Sequence, residues 1–402
     1  QNISLFLCPA FLSGIFFRRI NQRNGDAFVT GLLNKCLGFL KRETVLCAAV
    51  VLAVISAFLV PPSWDYVGYI DWDTLALLFS LMAVMKGFQQ AGVFVSLGSR
   101  LLGRVSTTRT MLLVLVFLPF VLSMVMTNDV SLITFVPFGM VVLKMAGQES
   151  LMIPMVVLQT VAANLGSMLT PMGNPQNLYL YAQSGMGFFQ FCQLMLPYVL
   201  LSGICLAAII LFRRSQPVQV ASLEHKVQNP KEVIWCCVGF VLCLLGLFNL
   251  IPPLAIAAVT AAFLLIFNRP LLAKVDYSLL LTFIAFFVFI GNVGAMEEFQ
   301  SFLTSILSGY EEIVSVLASQ IISNVPAALL LSGFSQQWPG LIVGCNLGGL
   351  GTLIASMASL ISYKQVAREY PEKKGKYFLW FTLCNVGMLA ILLLESWLLG
   401  QL

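Results

Sequence analysis

Four short polar sequences break into otherwise apolar stretches of this chain, and each carries residue types suited to holding a small ion. They are Thr127-Asn128-Asp129; Asn164-Leu165-Gly166 running on through Thr170 to Asn174-Pro175-Gln176-Asn177; Ser323-Asn324-Val325-Pro326; and Asn346-Leu347-Gly348-Gly349 running on through Thr352 to Ser356. Asn, Ser and Thr offer short neutral ligands, and glycine lets the backbone leave helical geometry at little cost. A helix broken at such a point exposes free N–H groups that suit an anion and free carbonyls that suit Na+. Asp129 adds a carboxylate far from any predicted membrane boundary, where a charge is costly and usually functional. The chemistry implied is reversible ion binding, with Asp129 as a proton or Na+ site and Asn128 and Asn324 as further Na+ ligands. For any one break the rival reading is close helix packing through small residues, with Asp129 as a helix cap; four paired breaks favour a site.

Such residues need a membrane around them. Of the 402 residues, 59% are hydrophobic and 10% charged, and the mean hydropathy is +0.92, where an ordinary globular chain has about 25% charged residues. That excludes a soluble enzyme, and it excludes disorder, which requires low hydrophobicity and high net charge. The formal net charge of +5 is bunched in short connecting segments, which argues against nucleic-acid binding. Cys47, Cys205, Cys236, Cys237, Cys243, Cys345 and Cys384 sit in apolar runs and read as small buried hydrophobes. The single histidine, His225, falls in a polar connection and is given no role.

Crossing a bilayer takes about 20 apolar residues in a helix. Qualifying runs, some interrupted, are 43–60, 73–88, 150–184, 188–212, 232–249, 254–268, 277–295, 338–362 and 377–400, with 3–17 as a candidate first helix, so about 9–10 full crossings are expected. Basic residues collect at 18–42, 100–109, 213–231, 269–274 and 364–376 and should face the cytoplasm. The connections 65–73, 171–187 and 297–312 are acidic or uncharged and should face outward. Lys86, Lys144, Glu149 and Glu395 fall near helix ends and read as interfacial anchors. Parity between Arg109 and Arg213 makes 109–145 a re-entrant hairpin entering from the cytoplasm with its tip at Asn128. The same count makes 311–335 a hairpin entering from outside with its tip at Ser323-Asn324.

The elements recur along the chain. Asn164 to Met172 lies over Asn346 to Ile354 at a spacing of 182 residues, and Ile70 to Leu75 lies over Val275 to Leu280 at 205. Charge gives the recurring helices opposite directions, the plan of an inverted-topology repeat, in which secondary transporters place their site between the repeats near the midplane. The expected organisation is an N-terminal segment 1–42 with an amphipathic cytoplasmic stretch; a first repeat 43–212 with hairpin 109–145 and broken helix 150–184; a cytoplasmic loop and linking helix 213–249; and a second repeat 250–402 with hairpin 311–335 and broken helix 338–362. The fold class is an all-α polytopic membrane protein.

These motifs resemble those of the ion transporter superfamily, and of its citrate-transporter-like permeases most closely. Thr127-Asn128-Asp129 followed by Pro137, the stretch Asn164 to Asn177 with Leu169-Thr170-Pro171 and Gly173-Asn174-Pro175-Gln176-Asn177, Ser323-Asn324-Val325-Pro326, and Asn346-Leu347-Gly348-Gly349 are similar to the arsenite-efflux (ArsB) and NhaD-type sodium/proton antiporter branch, over roughly residues 41–400. The resemblance implies a scaffold domain from the first helices of each repeat, a transport domain from the hairpins and broken helices, and a homodimer, as in the divalent anion/sodium symporters. Those relatives carry Ser-Asn-Thr at both hairpin tips, whereas Asp129 and Val325 hold the third position here. That departure disfavours a dicarboxylate and favours the arsenite or cation-antiport branch.

The expected protein is therefore no enzyme but an ion-coupled secondary transporter of the bacterial inner membrane. It would move a small inorganic or carboxylate anion or oxyanion by alternating access, with H+ or Na+ as coupling ion, no other cofactor, and lipid and a second copy as partners. The alternative is a Na+/H+ antiporter that moves no anion. An intramembrane aspartyl protease needs two facing acids, and the sequence places only Asp129 deep enough. No Gly-Lys-Ser/Thr phosphate loop stands for ATP drive; a channel is the third reading.

Overall fold

The computed structural model describes residue 38 and residues 43–103, 105–218 and 230–400; the candidate helix 3–17 and the amphipathic stretch before residue 38 lie outside the described residues. Helices build the described residues throughout, with no β-strand among them, only an isolated antiparallel bridge between Thr107 and Pro217. In the first half run α1 Thr44–Leu59, α2 Asp65–Tyr69, α3 Trp72–Gln90, α4 Val93–Leu102, α5 Thr108–Leu122, α6 Asn128–Met145, a single 3-10 turn Glu149–Leu151, α7 Met152–Gly166, α8 Pro175–Ser184 and α9 Phe188–Leu211. Then come α10 Pro230–Leu247, α11 Pro253–Phe267, α12 Arg269–Leu272, α13 Tyr277–Gly294, α14 Glu297–Leu307, α15 Glu311–Ile322, α16 Asn324–Ser332, α17 Trp338–Leu347, α18 Met357–Glu369 and α19 Lys374–Leu398. The protein is a multi-pass, all-α membrane protein.

Local chemistry explains the boundaries that matter. Asp71 caps α3 by accepting from the Thr74 N–H at 3.0 Å, and Asp276 caps α13 by accepting from the Leu279 N–H at 3.0 Å, each satisfying a donor the helix itself leaves free. Asn174 caps α8 in the same way, accepting from the Asn177 N–H at 3.1 Å, and Pro175 opens that helix, where its missing N–H costs nothing. Between α15 and α16 the chain turns on the single residue Ser323, whose φ of 75° is left-handed and uncommon for a residue with a side chain.

Packing is reciprocal between the halves. Helix α1 packs on α13 while α11 packs on α3; α8 packs on α16 while α18 packs on α6; and in each half the first hairpin helix, α5 or α15, lies along α7 or α17. Helix α7 is central, with 78% of its apolar stretch buried, against 17% for α10 and 28% for α19. The outer helices expose large apolar side chains, such as Phe378, Leu379, Leu383 and Val386 on α19, as a lipid-facing surface does.

Long-range polar contacts join segment ends that the charge pattern assigns to one face. On the basic side Arg109 Nη2 donates to the Arg213 carbonyl at 2.8 Å, Lys274 Nζ donates to Gln90 Oε1 at 3.0 Å, and Lys144 pairs with Glu369 at 3.8 Å. On the other side Gln183 Nε2 donates to Asp71 Oδ2 at 2.8 Å, and Asn292 Nδ2 donates to the Tyr66 hydroxyl at 2.8 Å.

Four expectations change. Among the described residues, six helices have the length and hydropathy of a full span, or seven if α3 and α4, bent by 50°, count as one, against the 9–10 crossings expected. The shortfall arises because α1, α11 and α17 have only 16, 15 and 10 residues, while Asn128–Met145 and Glu149–Gly166, expected within a re-entrant hairpin and a broken helix, reach the length of a span. Helices α4 and α14 were not anticipated, being short and amphipathic. Of the cysteines read as buried, Cys243 and Cys345 are so, while Cys237 is exposed and Cys47, Cys205, Cys236 and Cys384 are half-buried. Glu311 and Glu312, assigned to an outward connection, are buried in the first turn of α15, so Asp129 is not alone among enclosed carboxylates.

Candidate functional site

The four polar interruptions lie against one another, and the contacts of one half repeat in the other. The hairpin tip formed by α5 and α6 is tied to the broken α7–α8 element by the Asn128 N–H, which donates to the Gly173 carbonyl at 3.0 Å. In the second half the Asn324 N–H donates to the Ala355 carbonyl at 3.0 Å, and the Ser323 hydroxyl reaches the same carbonyl at 3.3 Å. Gly173 and Ala355 are 182 residues apart, the spacing of the repeated Asn-Leu-Gly motif.

The side chains of the two breaks then cross between the halves. Asn164 Oδ1 accepts from the Ser356 hydroxyl at 3.2 Å and its Nδ2 donates to Ser359 Oγ at 3.3 Å. Asn346 Oδ1 accepts from Asn174 Nδ2 at 3.4 Å and its Nδ2 donates to Asn177 Oδ1 at 2.7 Å. Asn128 joins the first set, its Nδ2 donating to Asn164 Oδ1 at 3.0 Å, while its own Oδ1 accepts from the Asp129 N–H at 2.9 Å. Asn128, Asn164, Asn174, Asn177, Ser356 and Asn346 are all buried. Buried amides without partners would cost about 1–3 kcal/mol each, so the reciprocal pairing stabilises the broken backbone.

Close approach depends on two glycines at equivalent places. A Cβ on Gly166 would strike the Phe120 carbonyl oxygen and come within 2.6 Å of Ser123 Oγ; one on Gly348 would come within 2.5 Å of Ser319 Oγ. Each break is thus pressed against the first helix of its own hairpin.

A cavity of about 700 Å3 reaches the first hairpin tip and is lined by Thr127, Asp129 and Asn174 together with Lys86, Lys274 and Lys364. Its lysines are those of the basic side. Asp129 is half-buried there. Ser323 and Asn324 are buried outside this cavity, and the Asn324 amide lies against Gly349. Gln176 is buried with its Nε2 unpartnered. Thr170 is taken up in a hydrogen bond to the Met124 carbonyl. Thr352 stands apart: it is exposed and held by Gln320, whose Oε1 accepts from the Thr352 N–H at 2.9 Å.

Several contributors escaped sequence reasoning. Gln159 on α7 ties both hairpin helices, its Nε2 donating to the carbonyls of Leu115 at 2.8 Å and Phe135 at 3.2 Å. In the second half Gln320 of α15 ties the hairpin to its break, donating to the carbonyls of Gly348 at 2.9 Å and Leu350 at 3.0 Å. Each is a long polar side chain next to apolar residues of its helix, a signal available in the sequence. Lys86, read as an interfacial anchor, lines the cavity on the basic side. Ser359, one turn beyond Ser356, aligns with Asn177 at the 182-residue spacing, as Ser356 does with Asn174.

Comparison with known proteins agrees with this architecture. The chain is 31% identical over 310 residues to inner membrane protein YbiR of Escherichia coli (strain K12), covering 76% of this chain and 82% of that protein. It is 31% identical over 296 residues to uncharacterized transporter MJ0456 of Methanocaldococcus jannaschii, covering 73% and 81%. A shorter match, 33% identical over 137 residues, covering 34% of this chain and 28% of the relative, is to silicon efflux transporter LSI3 of Oryza sativa subsp. japonica. The profile of the citrate transporter family, CitMHS, matches residues 29–337. With its paired hairpins and broken helices meeting at buried asparagines, the chain belongs to this citrate transporter family and is a membrane transporter, not an enzyme.

Proposed function

We propose that the protein is an ion-coupled secondary active transporter that moves a small anion or oxyanion by alternating access between two inverted repeats. The observation that carries the proposal is the reciprocal contact of Asn164 with Ser356 and Ser359 and of Asn346 with Asn174 and Asn177. It joins the two broken helices at one buried place, to which the Asn128 and Asn324 N–H groups tie the two hairpin tips. Asp129 is the coupling-ion site, taking up H+ or Na+ from the cavity on the basic side. The structure then represents the state open to the cytoplasm of the inner membrane, and a homodimer is the expected assembly. A relative named for silicon efflux favours an inorganic oxyacid or oxyanion over a larger carboxylate.

Thermal unfolding of the detergent-purified protein tests this with Na+, Li+, arsenite, sulfate, phosphate, silicate, succinate and citrate, each alone and with Na+ added. A ligand at about 100 times its Kd stabilises by roughly 2.7 kcal/mol. A shift with one anion that depends on Na+ or on pH supports coupled anion transport. A shift with Na+ or Li+ alone, lost as pH falls, favours instead the antiporter that moves no anion, the reading for which Asp129 at the hairpin tip speaks. In flux assays Asp129→Asn should lose coupling; gradient-driven flux of wild-type magnitude in that variant overturns the role of Asp129.

A further inference from the structure

Lys86 and Asp129 line one cavity from opposite elements, Lys86 from α3 and Asp129 from the start of α6. The charged groups around that cavity are Glu43, Lys86, Asp129, Lys274, Asp276 and Lys364. Of these, Lys86, Lys274 and Lys364 are opposite in sign to Asp129. Asp276 is engaged in capping α13, and Lys274 in donating to Gln90. Lys86 is also linked to the helix that carries Asp129: its Nζ donates to Gln89 Oε1 at 3.2 Å, and Gln89 Nε2 donates to Thr134 Oγ1 of α6 at 2.9 Å.

The internal repeat adds an independent observation. At the 205-residue spacing that relates Asp71 to Asp276, the counterpart of Lys86 is Gly291; at the 196-residue spacing that relates Asn128 to Asn324, the counterpart of Asp129 is Val325. Both charges are present in one half and both are missing from the other. At Gly291 the Tyr69 ring lies where a side chain would begin, so a Cβ there would strike it.

We propose that the Lys86 ammonium is the built-in counter-cation of Asp129, balancing its charge while no ion is bound and giving up that role when H+ or Na+ arrives. The proposal rests on the reading of Asp129 as the coupling-ion site. Its physical basis is that a half-buried carboxylate at a cavity that Leu78, Met82, Val130 and Ile133 also line is costly to leave unbalanced once the ion departs. With Lys86 in place the empty site carries no net charge, so the transport domain can return across the low-dielectric region without an uncompensated charge. Lys86 is a positioning residue in this scheme: it competes with the coupling ion and so sets how tightly, and at what pH, Asp129 holds it.

The test is thermal unfolding of the full-length purified protein titrated with NaCl and LiCl, at constant ionic strength and across pH, in the wild type, Lys86→Gln, Lys86→Arg, Asp129→Asn and the double variant Lys86→Gln/Asp129→Asn. Removing the competing positive charge should tighten Na+ binding at high pH by about tenfold and, because it favours H+ equally, raise by about one unit the pH at which the apparent Na+ affinity falls to half its high-pH value, since a tenfold change in affinity and one pH unit are the same free energy. Lys86→Arg should keep the wild-type values. Wild-type Na+ and pH dependence in Lys86→Gln, with Asp129→Asn still abolishing the response, overturns the counter-cation role and leaves the coupling role of Asp129 standing. A wild-type ion response in Asp129→Asn overturns both. If Lys86→Gln is too unstable to purify, the double variant decides: recovery of yield on removing both charges supports the pair, and failure to recover overturns it.

Discussion

Asn164 and Asn346 are separated by 182 residues, and each reaches out of its own half to hydrogen-bond the second helix of the other half's broken element, Asn164 to Ser356 and Ser359, Asn346 to Asn174 and Asn177. Each break thus completes its hydrogen bonding with side chains of the other half. Replacing either asparagine by leucine leaves buried partners unpaired and should lower stability by about 2–4 kcal/mol. The two sets share no direct hydrogen-bond partner, so the double variant should equal the sum of the singles to within about 0.5 kcal/mol. Denaturation of the purified variants in one detergent reads both quantities.

Gly166 and Gly348 predict a graded pair of effects. The methyl of Gly166→Ala meets the Phe120 backbone carbonyl, which cannot step aside, whereas that of Gly348→Ala meets chiefly the Ser319 side chain. Gly166→Ala should destabilise by about 1–3 kcal/mol through overpacking, and by more than Gly348→Ala. Ser319→Gly should rescue Gly348→Ala only in part, since the Gly344 carbonyl at 2.8 Å remains, and Ser123→Gly should fail to rescue Gly166→Ala; melting temperatures of the four proteins decide.

Glu312 offers a test of enclosed charge on the opposite side. Its Oε2 accepts from the Ser396 hydroxyl at 2.7 Å, that hydroxyl shares a 3.0 Å hydrogen bond with Tyr198, and its Oε1 is buried without a partner. Glu312→Gln keeps the shape and an acceptor while removing the charge, and should be neutral or stabilising in thermal unfolding. Glu312→Ala opens a void and strands the Ser396 and Tyr198 hydroxyls, and should cost about 2–4 kcal/mol.

Sidedness can be read from single cysteines in a cysteine-free background. Cysteines at Asp71, Gln183 and Gln300 should react with a membrane-impermeant maleimide from outside intact cells, and cysteines at Gln90, Lys144 and Lys364 only after permeabilisation. Labelling of both groups from one face would overturn the opposed orientation of the two halves.

Much of this arrangement was legible in the sequence because breaks in a membrane helix are written in unusual residues. Asn-Leu-Gly and the hairpin-tip asparagines stand out against Leu, Val and Phe, and the observed breaks fall at 123–127, 167–174, Ser323 and 348–356. The amphipathic α4 and α14 were missed because ten or eleven residues with an apolar stripe are too short and too polar to register against an expectation of spans about 20 residues long. The surroundings of Lys86 and Glu312 were not legible because distance along a helix says how far a charge lies from an end, but not whether lipid, water or another helix meets it. A run of apolar residues cannot show that a cavity enters beside Lys86 or that α9 and α19 cover Glu312 with Tyr198 and Ser396.

The exchange of partners between halves also bears on how the chain is made. Synthesis delivers Asn164, Asn174 and Asn177 to the membrane long before Ser356, Ser359 and Asn346 leave the ribosome. Through that interval the first half holds polar amides whose native partners do not yet exist, in a medium with little water to stand in for them. Half-helices α7 and α8 must wait in a provisional arrangement, shielded by lipid headgroups, trapped water or an insertase. The last fifth of the chain then acts as the closing step of biogenesis, and a ribosome stalled before Asn346 leaves a product suited to quality-control proteolysis.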